Sequence, residues 1–364
     1  MSTPRLSERE LTSKLLETLQ ELPFVHAQPP VWEPRSEDDR RIDVDICINV
    51  AGKDFHLLIE TKKSVYPRDV REMLWQIKQF GLSERLNDTH DAAVPFLAAE
   101  SISPGAKELL RNKRVGYYDT GGSLFIPARG AFFYIDKPPP KPLARTVRSL
   151  FRGKRSQVLH ALLLNPKESF SVKALAHIAR VSTATASETL TALERFDWLS
   201  SKGQGPSKER YLVEPAALLD EWNKQTLAAR PLPLRRYYVP SIDLDTLTER
   251  IDHICEAHGV EYALTQETAA QYFAPFLSTI SQVKCRMTSS RAAEEAVGEL
   301  DARVVSEGAN LIIIETKSQG EFLFKERYGV AWLASPVQVY LDLLRAGGRA
   351  KEMAEHLRRE RIGF

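Results

Sequence analysis

Arg41-Ile42-Asp43-Val44-Asp45-Ile46 is followed, about fifteen residues on, by Leu57-Leu58-Ile59-Glu60-Thr61-Lys62, with a glycine-containing turn between them at Ala51-Gly52-Lys53. The two stretches read as the arms of a β-hairpin. Side chains alternate between the faces of a strand, so Asp43 and Asp45 share one face, and Glu60 and Lys62 share a face of the partner. When the two faces coincide, two or three carboxylates and one ammonium converge. A turn centred on Gly52-Lys53 sets Asp45 opposite Glu60, whereas a turn centred on Ala51-Gly52 sets Asp43 there. Both registers fit the sequence.

Such a cluster suits phosphodiester hydrolysis. Carboxylate oxygens hold Mg²⁺ or Mn²⁺, and the metal and the lysine together stabilise negative charge on phosphate oxygens. In its order of acid, then Glu-x-Lys, then helix, the segment resembles the PD-(D/E)XK nuclease superfamily over roughly residues 1 to 136. The resemblance implies a restriction-endonuclease-like α/β/α domain and a magnesium-dependent endonuclease activity. It makes Asp45 or Asp43 the first acid, Glu60 the second and Lys62 the catalytic lysine, with Asp45, Glu60 and Asp43 as metal ligands. Neither aspartate has a proline before it. Pro67 opens a helix expected to run through Phe80, with Val70, Met73, Leu74 and Ile77 on its apolar stripe and Gln76 at the edge. A glutamine here supports the site in several branches of that superfamily. Upstream, Ser7 and Glu10 form a capping box that starts a helix through Leu22, with Leu11, Leu15, Leu19 and Leu22 facing inward and Glu17 on the solvated side. The Glu-Thr-Lys tripeptide recurs at Glu315-Thr316-Lys317. That copy runs into Gly320 and an expected strand from Glu321 to Phe324, and reads as a buried strand with a charged end.

The chain has 364 residues, enough for two or three domains. Its 50 basic and 48 acidic residues leave a net charge of only +2, so nucleic-acid binding has to rest on local patches. No leader pattern is read at the start, and the longest aliphatic run, Leu311 to Ile314, is too short to span a bilayer. The expectation is a cytoplasmic protein with no membrane partner. Cys47, Cys255 and Cys285 form no CxxC pair and read as packing residues.

Residues 137–155 combine prolines with Arg145, Arg148, Arg152, Lys154 and Arg155 and contain no acid, and they read as a basic, proline-rich linker or a solvated helix face. Residues 156–230 read as a winged helix-turn-helix. Three helices are expected, the second starting at Ser171 and the third ending near Asp197, followed by a hairpin whose tip is Ser201 to Lys208. The third helix presents Ser182, Thr183, Thr185 and Ser187, small hydroxyl side chains able to enter a major groove. Lys202, Lys208 and Arg210 make the wing basic, and Arg148, Arg152, Lys154 and Arg155 supply a basic entry segment suited to phosphates. The implied partner is double-stranded DNA.

Residues 231–364 mix helices and strands. The segments Ala263 to Ala270 and Ser335 to Ala350 resemble the C-terminal domain of AbiEi-type antitoxins of type IV toxin-antitoxin systems. Together with the winged helix, this resemblance spans roughly residues 155 to 364. It implies a transcriptional regulator that represses its own operon and counters a cognate toxin, and a palindromic operator would imply a homodimer. The domain is also similar to the nucleotidyltransferase fold but lacks the Gly-Ser and spaced aspartates for nucleotide transfer. Asp342, Arg345 and Arg349 read as helix-helix salt links in preference to a surface for a partner. The fold class is therefore α/β multidomain. Its expected function is a DNA-binding regulator carrying a nuclease-like domain, and the alternative is an active endonuclease in phage or plasmid defence targeted by its winged helix.

Overall fold

A computed structural model describes residues 6–32, 43–79, 92–128, 131–240 and 243–364. It is a mixed α/β protein whose chain divides into two compact units. The first is Met1–Val147 with Ala192–Asp197, and the second is Arg148–Thr191 with Trp198–Phe364.

The first unit begins with helix α1, Glu8–Gln20. Ser7 caps it reciprocally with Glu10: the serine hydroxyl accepts from the Glu10 N–H at 3.2 Å, and the Glu10 carboxylate accepts from the Ser7 N–H at 2.7 Å. Leu11, Leu15 and Leu19 are buried along one stripe, while Glu17 is exposed. Strands β1 (Val25–Ala27), β2 (Val31–Trp32), β3 (Val44–Val50) and β4 (Lys53–Val65) follow. Next come helix α2 (Pro67–Gln79), β5 (Ala92–Ile102), α3 (Pro104–Asn112), β6 (Gly116–Asp119), β7 (Leu124–Ala128) and β8 (Ala131–Ile135). These strands form an eight-stranded sheet in the order β1-β3-β4-β5-β6-β7-β8, with β2 beside β3. Strands β3 and β4 pair antiparallel, whereas β4, β5 and β6 run parallel, each parallel step bridged by a helix as such a connection requires.

The alternation of each strand divides this unit into two apolar layers. Val44, Ile46, Ile48, Phe55, Leu57, Ile59, Val94, Phe96 and Ala98 pack with the leucines of α1. Leu97, Ala99 and Ile102 point the other way and pack with Val70 and Met73 of α2 and with Ala106 and Leu110 of α3. Glu60 pairs with Leu97 and Lys62 with Ala99, which places both charged residues on the α2–α3 side of the sheet.

The proline-rich stretch is not extended throughout. Helix α4, Lys141–Leu150, begins directly after Pro140, because Leu143, Val147 and Leu150 recur at helical spacing and are buried. In the second unit, α5 (Gly153–Leu164), β9 (Ser169–Phe170), α6 (Val172–Ile178), α7 (Thr183–Arg195), β10 (Leu199–Lys202) and β11 (Glu209–Leu212) follow, with the sheet order β10-β11-β9. Ser171 caps α6 as its sequence position suggests, and α7 stops two residues short of Asp197, whose φ of 59° leaves the helical region.

Helix α8 (Pro215–Leu227) leads into β12 (Leu234–Tyr238), α9 (Leu244–Ala257), β13 (Tyr262–Leu264), α10 (Gln266–Phe273), β14 (Val283–Thr288) and α11 (Arg291–Glu299). Strands β15 (Arg303–Val304), β16 (Leu311–Thr316), β17 (Glu326–Tyr328) and β18 (Ala331–Leu333) and helices α12 (Pro336–Ala346) and α13 (Ala350–Leu357) complete the chain. The seven-stranded sheet runs β15-β12-β16-β14-β13-β18-β17. The second Glu-Thr-Lys copy ends β16, a buried strand inside this sheet. The expected strand at Glu321 is instead a 3₁₀ turn, Gln319–Phe322, and strand structure resumes only at Glu326.

Asp342 is not a surface residue of α12, as a helix-helix salt link would have it. It is 2% exposed and Arg286 of β14 is 3% exposed. The guanidinium donates to both Asp342 oxygens, at 2.7 and 2.5 Å, and also pairs with Glu321. The Thr265 hydroxyl donates to Asp342 at 2.6 Å and the Gln338 amide at 3.0 Å, so the buried carboxylate is fully engaged. Burial raises the pKa of Glu321 against the opposing charge of Arg286. Cys47, Cys255 and Cys285 are unbridged, and the last two are buried. Among the described residues no helix is long and apolar enough to cross a membrane.

Candidate functional site

The hairpin register decides which aspartate meets Glu60. Val44 pairs with Ile59 and Val50 with Lys53, which closes the hairpin with Ala51 and Gly52 alone. Both turn residues have positive φ, 51° and 85°, as a tight turn that follows the strand twist requires. Continued one step, the register sets Asp43 across from Glu60. Asp45 lies opposite Leu58 and turns its carboxylate to the His56 ring, with 3.1 Å from Asp45 Oδ2 to Nδ1. The register therefore brings Asp43 to Glu60, and Asp45 stands apart as an aspartate–histidine pair.

Asp43 Oδ2 accepts from the Thr61 N–H at 2.7 Å and the Thr61 hydroxyl at 2.9 Å, which fixes the carboxylate at the mouth of the hairpin. Glu60 Oε1 lies 2.8 Å from Lys62 Nζ, both side chains being about 40% exposed. Burial opposes the charge on Lys62, but Glu60, Asp69 and Asp43 outweigh it, so the lysine pKa is raised and the ammonium is held protonated. Asp69 was not singled out from the sequence. It sits in the first turn of α2 and accepts from the Tyr66 N–H at 2.8 Å, three residues back. An acid at this position of a proline-initiated helix is an available signal, because such a carboxylate satisfies an otherwise unpaired N–H.

The donor set has the chemistry of a hard-cation site but is sparse. Among the described residues no three His, Cys, Asp or Glu side chains are grouped closely enough to hold a metal. Asp43 and Glu60 each engage one oxygen, with Thr61 and Lys62 respectively, and the other oxygen of each has no hydrogen bond among the described residues. Two such carboxylates suffice for Mg²⁺, which keeps several waters and takes one or two protein ligands beside phosphate. Gln76 lies on α2, but its side chain falls outside the described residues.

In the second unit, Ser182 stands at the start of α7 and its hydroxyl accepts from the Thr185 N–H at 3.1 Å. Ser182 and Thr183 are exposed, while Thr185 and Ser187 are half-buried. On the following hairpin Lys202 is exposed and pairs with Glu209 at 3.3 Å, and Lys208 is half-buried. Arg210, expected to face phosphates, does not belong to this surface. It lies on β11, the middle strand of three, and shares the inward face with Leu212, the two being 8% and 7% exposed. Alternation with Leu212 is the sequence signal that places it inside. Arg148, Arg152 and Lys154 are exposed, and Arg155 is tied to Glu188 at 3.0 Å and to Ser149 at 3.1 Å.

No protein-family model, no curated protein and no solved structure matches this chain.

Proposed function

We propose that this is a cytoplasmic DNA-binding regulator of the AbiEi-like type, whose second unit carries a winged helix-turn-helix. The observation that carries the reading is the arrangement of α5, β9, α6, α7 and the β10–β11 hairpin. Three helices are joined to a small three-stranded sheet, with the polar start of α7 and a lysine-bearing hairpin tip left at the surface. Ser182 and Thr183 would approach base edges, while Lys202, Lys208, Arg148, Arg152 and Lys154 would neutralise phosphates. A cognate toxin and a second copy of the chain are the further partners of this reading. Fluorescence anisotropy with a genomic duplex containing the chain's own promoter tests it. The double variant Lys202→Ala/Lys208→Ala should weaken binding and lower the slope of log K against log salt by about 2. A wild-type protein that binds no duplex at low salt rejects the proposal.

A second reading is favoured by the register of Asp43 against Glu60 and by the protonated Lys62. In it the first unit is a restriction-endonuclease-like domain that hydrolyses DNA phosphodiesters. Asp43 and Glu60 would hold Mg²⁺ or Mn²⁺, which supplies Lewis-acid stabilisation of the phosphate when bound. Lys62 would place its ammonium on a phosphate oxygen, and Asp69 would keep that ammonium charged. Supercoiled plasmid incubated with Mg²⁺ or with EDTA should be nicked only with metal. Glu60→Ala, Lys62→Ala and Asp43→Ala should abolish nicking, while Asp45→Ala should retain it. Loss in Asp45→Ala with nicking retained in Asp43→Ala would assign the first acid to Asp45.

A further inference from the structure

The second unit contains a cleft of about 430 Å³ lined by Gln157, Arg180, Phe322, Lys325 and Trp332, among others, and by Lys154, which also belongs to the proposed DNA surface. We propose that this cleft binds a mononucleotide, with its phosphate on Lys154, Arg180 and the first turn of α5 and its sugar and base along Phe322 and Trp332.

Charge is the first argument. Glu261 is the single acid lining the cleft, and it is already engaged by Lys325 at 2.5 Å, whose ammonium also lies 4.5 Å from the centre of the Trp332 ring. Lys154 and Arg180 make no ion pair among the described residues, so two cations face the same space and an anion there relieves their repulsion. Lys154 also belongs to the opening turn of a twelve-residue helix whose N-cap, Arg152, offers no side-chain hydrogen bond. The first-turn N–H groups of such a helix favour phosphate.

Two further features point the same way. Arg180 has φ of 48°, in the left-handed region where glycine is at ease, and an arginine held there suggests a use for its side chain. Gln157 is 6% exposed, yet its side-chain oxygen has no hydrogen-bond partner among the described residues. A Cβ on Gly320 would fall 1.8 Å from the Gln157 amide nitrogen, so only glycine lets this amide lie against the 3₁₀ turn at the cleft wall. Turned outward from under the Gly320 turn, this acceptor would meet a donor such as a ribose hydroxyl, which inorganic phosphate lacks. The volume and the mixture of an apolar wall with a few polar groups match a small-ligand site.

Isothermal titration of the full-length protein with AMP, ATP, GTP and inorganic phosphate, in EDTA and without DNA, tests the proposal independently of DNA binding. A nucleotide should bind, and inorganic phosphate should bind at least about tenfold more weakly. Lys154→Ala and Arg180→Gly should each raise the nucleotide Kd about tenfold, the effect of losing one charge-assisted hydrogen bond. Arg180→Gly suits the left-handed backbone, so the fold survives it and an unchanged melting temperature will verify that. The proposal is overturned if no nucleotide binds up to about 1 mM. It is equally overturned if both variants bind as the wild type does, or if phosphate binds as tightly as any nucleotide.

Discussion

At Asp342 a single carboxylate accepts from Arg286, Thr265 and Gln338 inside the second unit. Removing it leaves a buried guanidinium with Glu321 as its remaining partner, so Asp342→Ala should cost about 3–5 kcal/mol in urea unfolding. The double variant Arg286→Met/Asp342→Leu should lose markedly less, because no charge is then stranded. His160 gives a pH signature. Burial, aided by the nearby Arg286 charge, pushes its pKa down to about 3 from 6.5. The folded protein therefore binds fewer protons than the unfolded chain between those values. This contribution is present above pH 6.5 and is lost as pH falls toward 3, by at most about 1.4 kcal/mol per pH unit. Urea unfolding at about pH 7, 6 and 5 should show that slope, and His160→Gln should remove its share of it. Residue types alone identified Glu60 and Lys62 as neighbours. They left Asp43 and Asp45 tied, since both share a face and only a one-residue shift in where the turn is centred separates them. They also gave Arg210 a surface role, because a basic residue in a lysine-bearing hairpin looks solvated until its alternation with Leu212 is counted. The buried partnership of Asp342 left no local trace, as Arg286 lies 56 residues away.

At the level of elements the sequence was clearer. The capping box at Ser7, the proline start at Pro67, the Ser171 cap and the Ser335-Pro336 start all open helices. Each is a local hydrogen-bonding or steric preference, readable without tertiary context. The failure was a segment whose state depends on what it packs against, the 3₁₀ turn at Gln319–Phe322 where a strand was expected. The β3–β4 turn carries a stability prediction. Ala51 sits at φ 51°, where an L-residue pays roughly 1–2 kcal/mol that asparagine largely avoids. Ala51→Asn should therefore stabilise the first unit by about 1 kcal/mol, read as a rise in melting temperature, with the Asp43–Glu60 register kept. A fall in stability would show that the turn is held by something other than its backbone preference.

For the whole molecule, the first unit has two apolar layers of its own and the second buries Leu159, Leu190, Ile313 and Leu343 among others, so thermal unfolding should resolve two transitions in calorimetry. Ala51→Asn should move one of them and Asp342→Ala the other. A single transition displaced by both substitutions would mean that the units melt together. Strand β12 has a consequence for synthesis. Its partners β15 and β16 lie far downstream, and the Val239 N–H waits for the Asn310 side chain 71 residues later. At ribosomal speed, β12 is synthesised about 4–14 s before those residues exist. Four of its five residues are exposed even in the finished sheet, and Arg235 and Arg236 are among them. The paired charges of Arg235 and Arg236 repel a second copy of the same strand on the polysome and so offset the exposed Leu234 and Tyr238 beside them, which lets the chain leave the strand unpaired until the second half of the domain arrives.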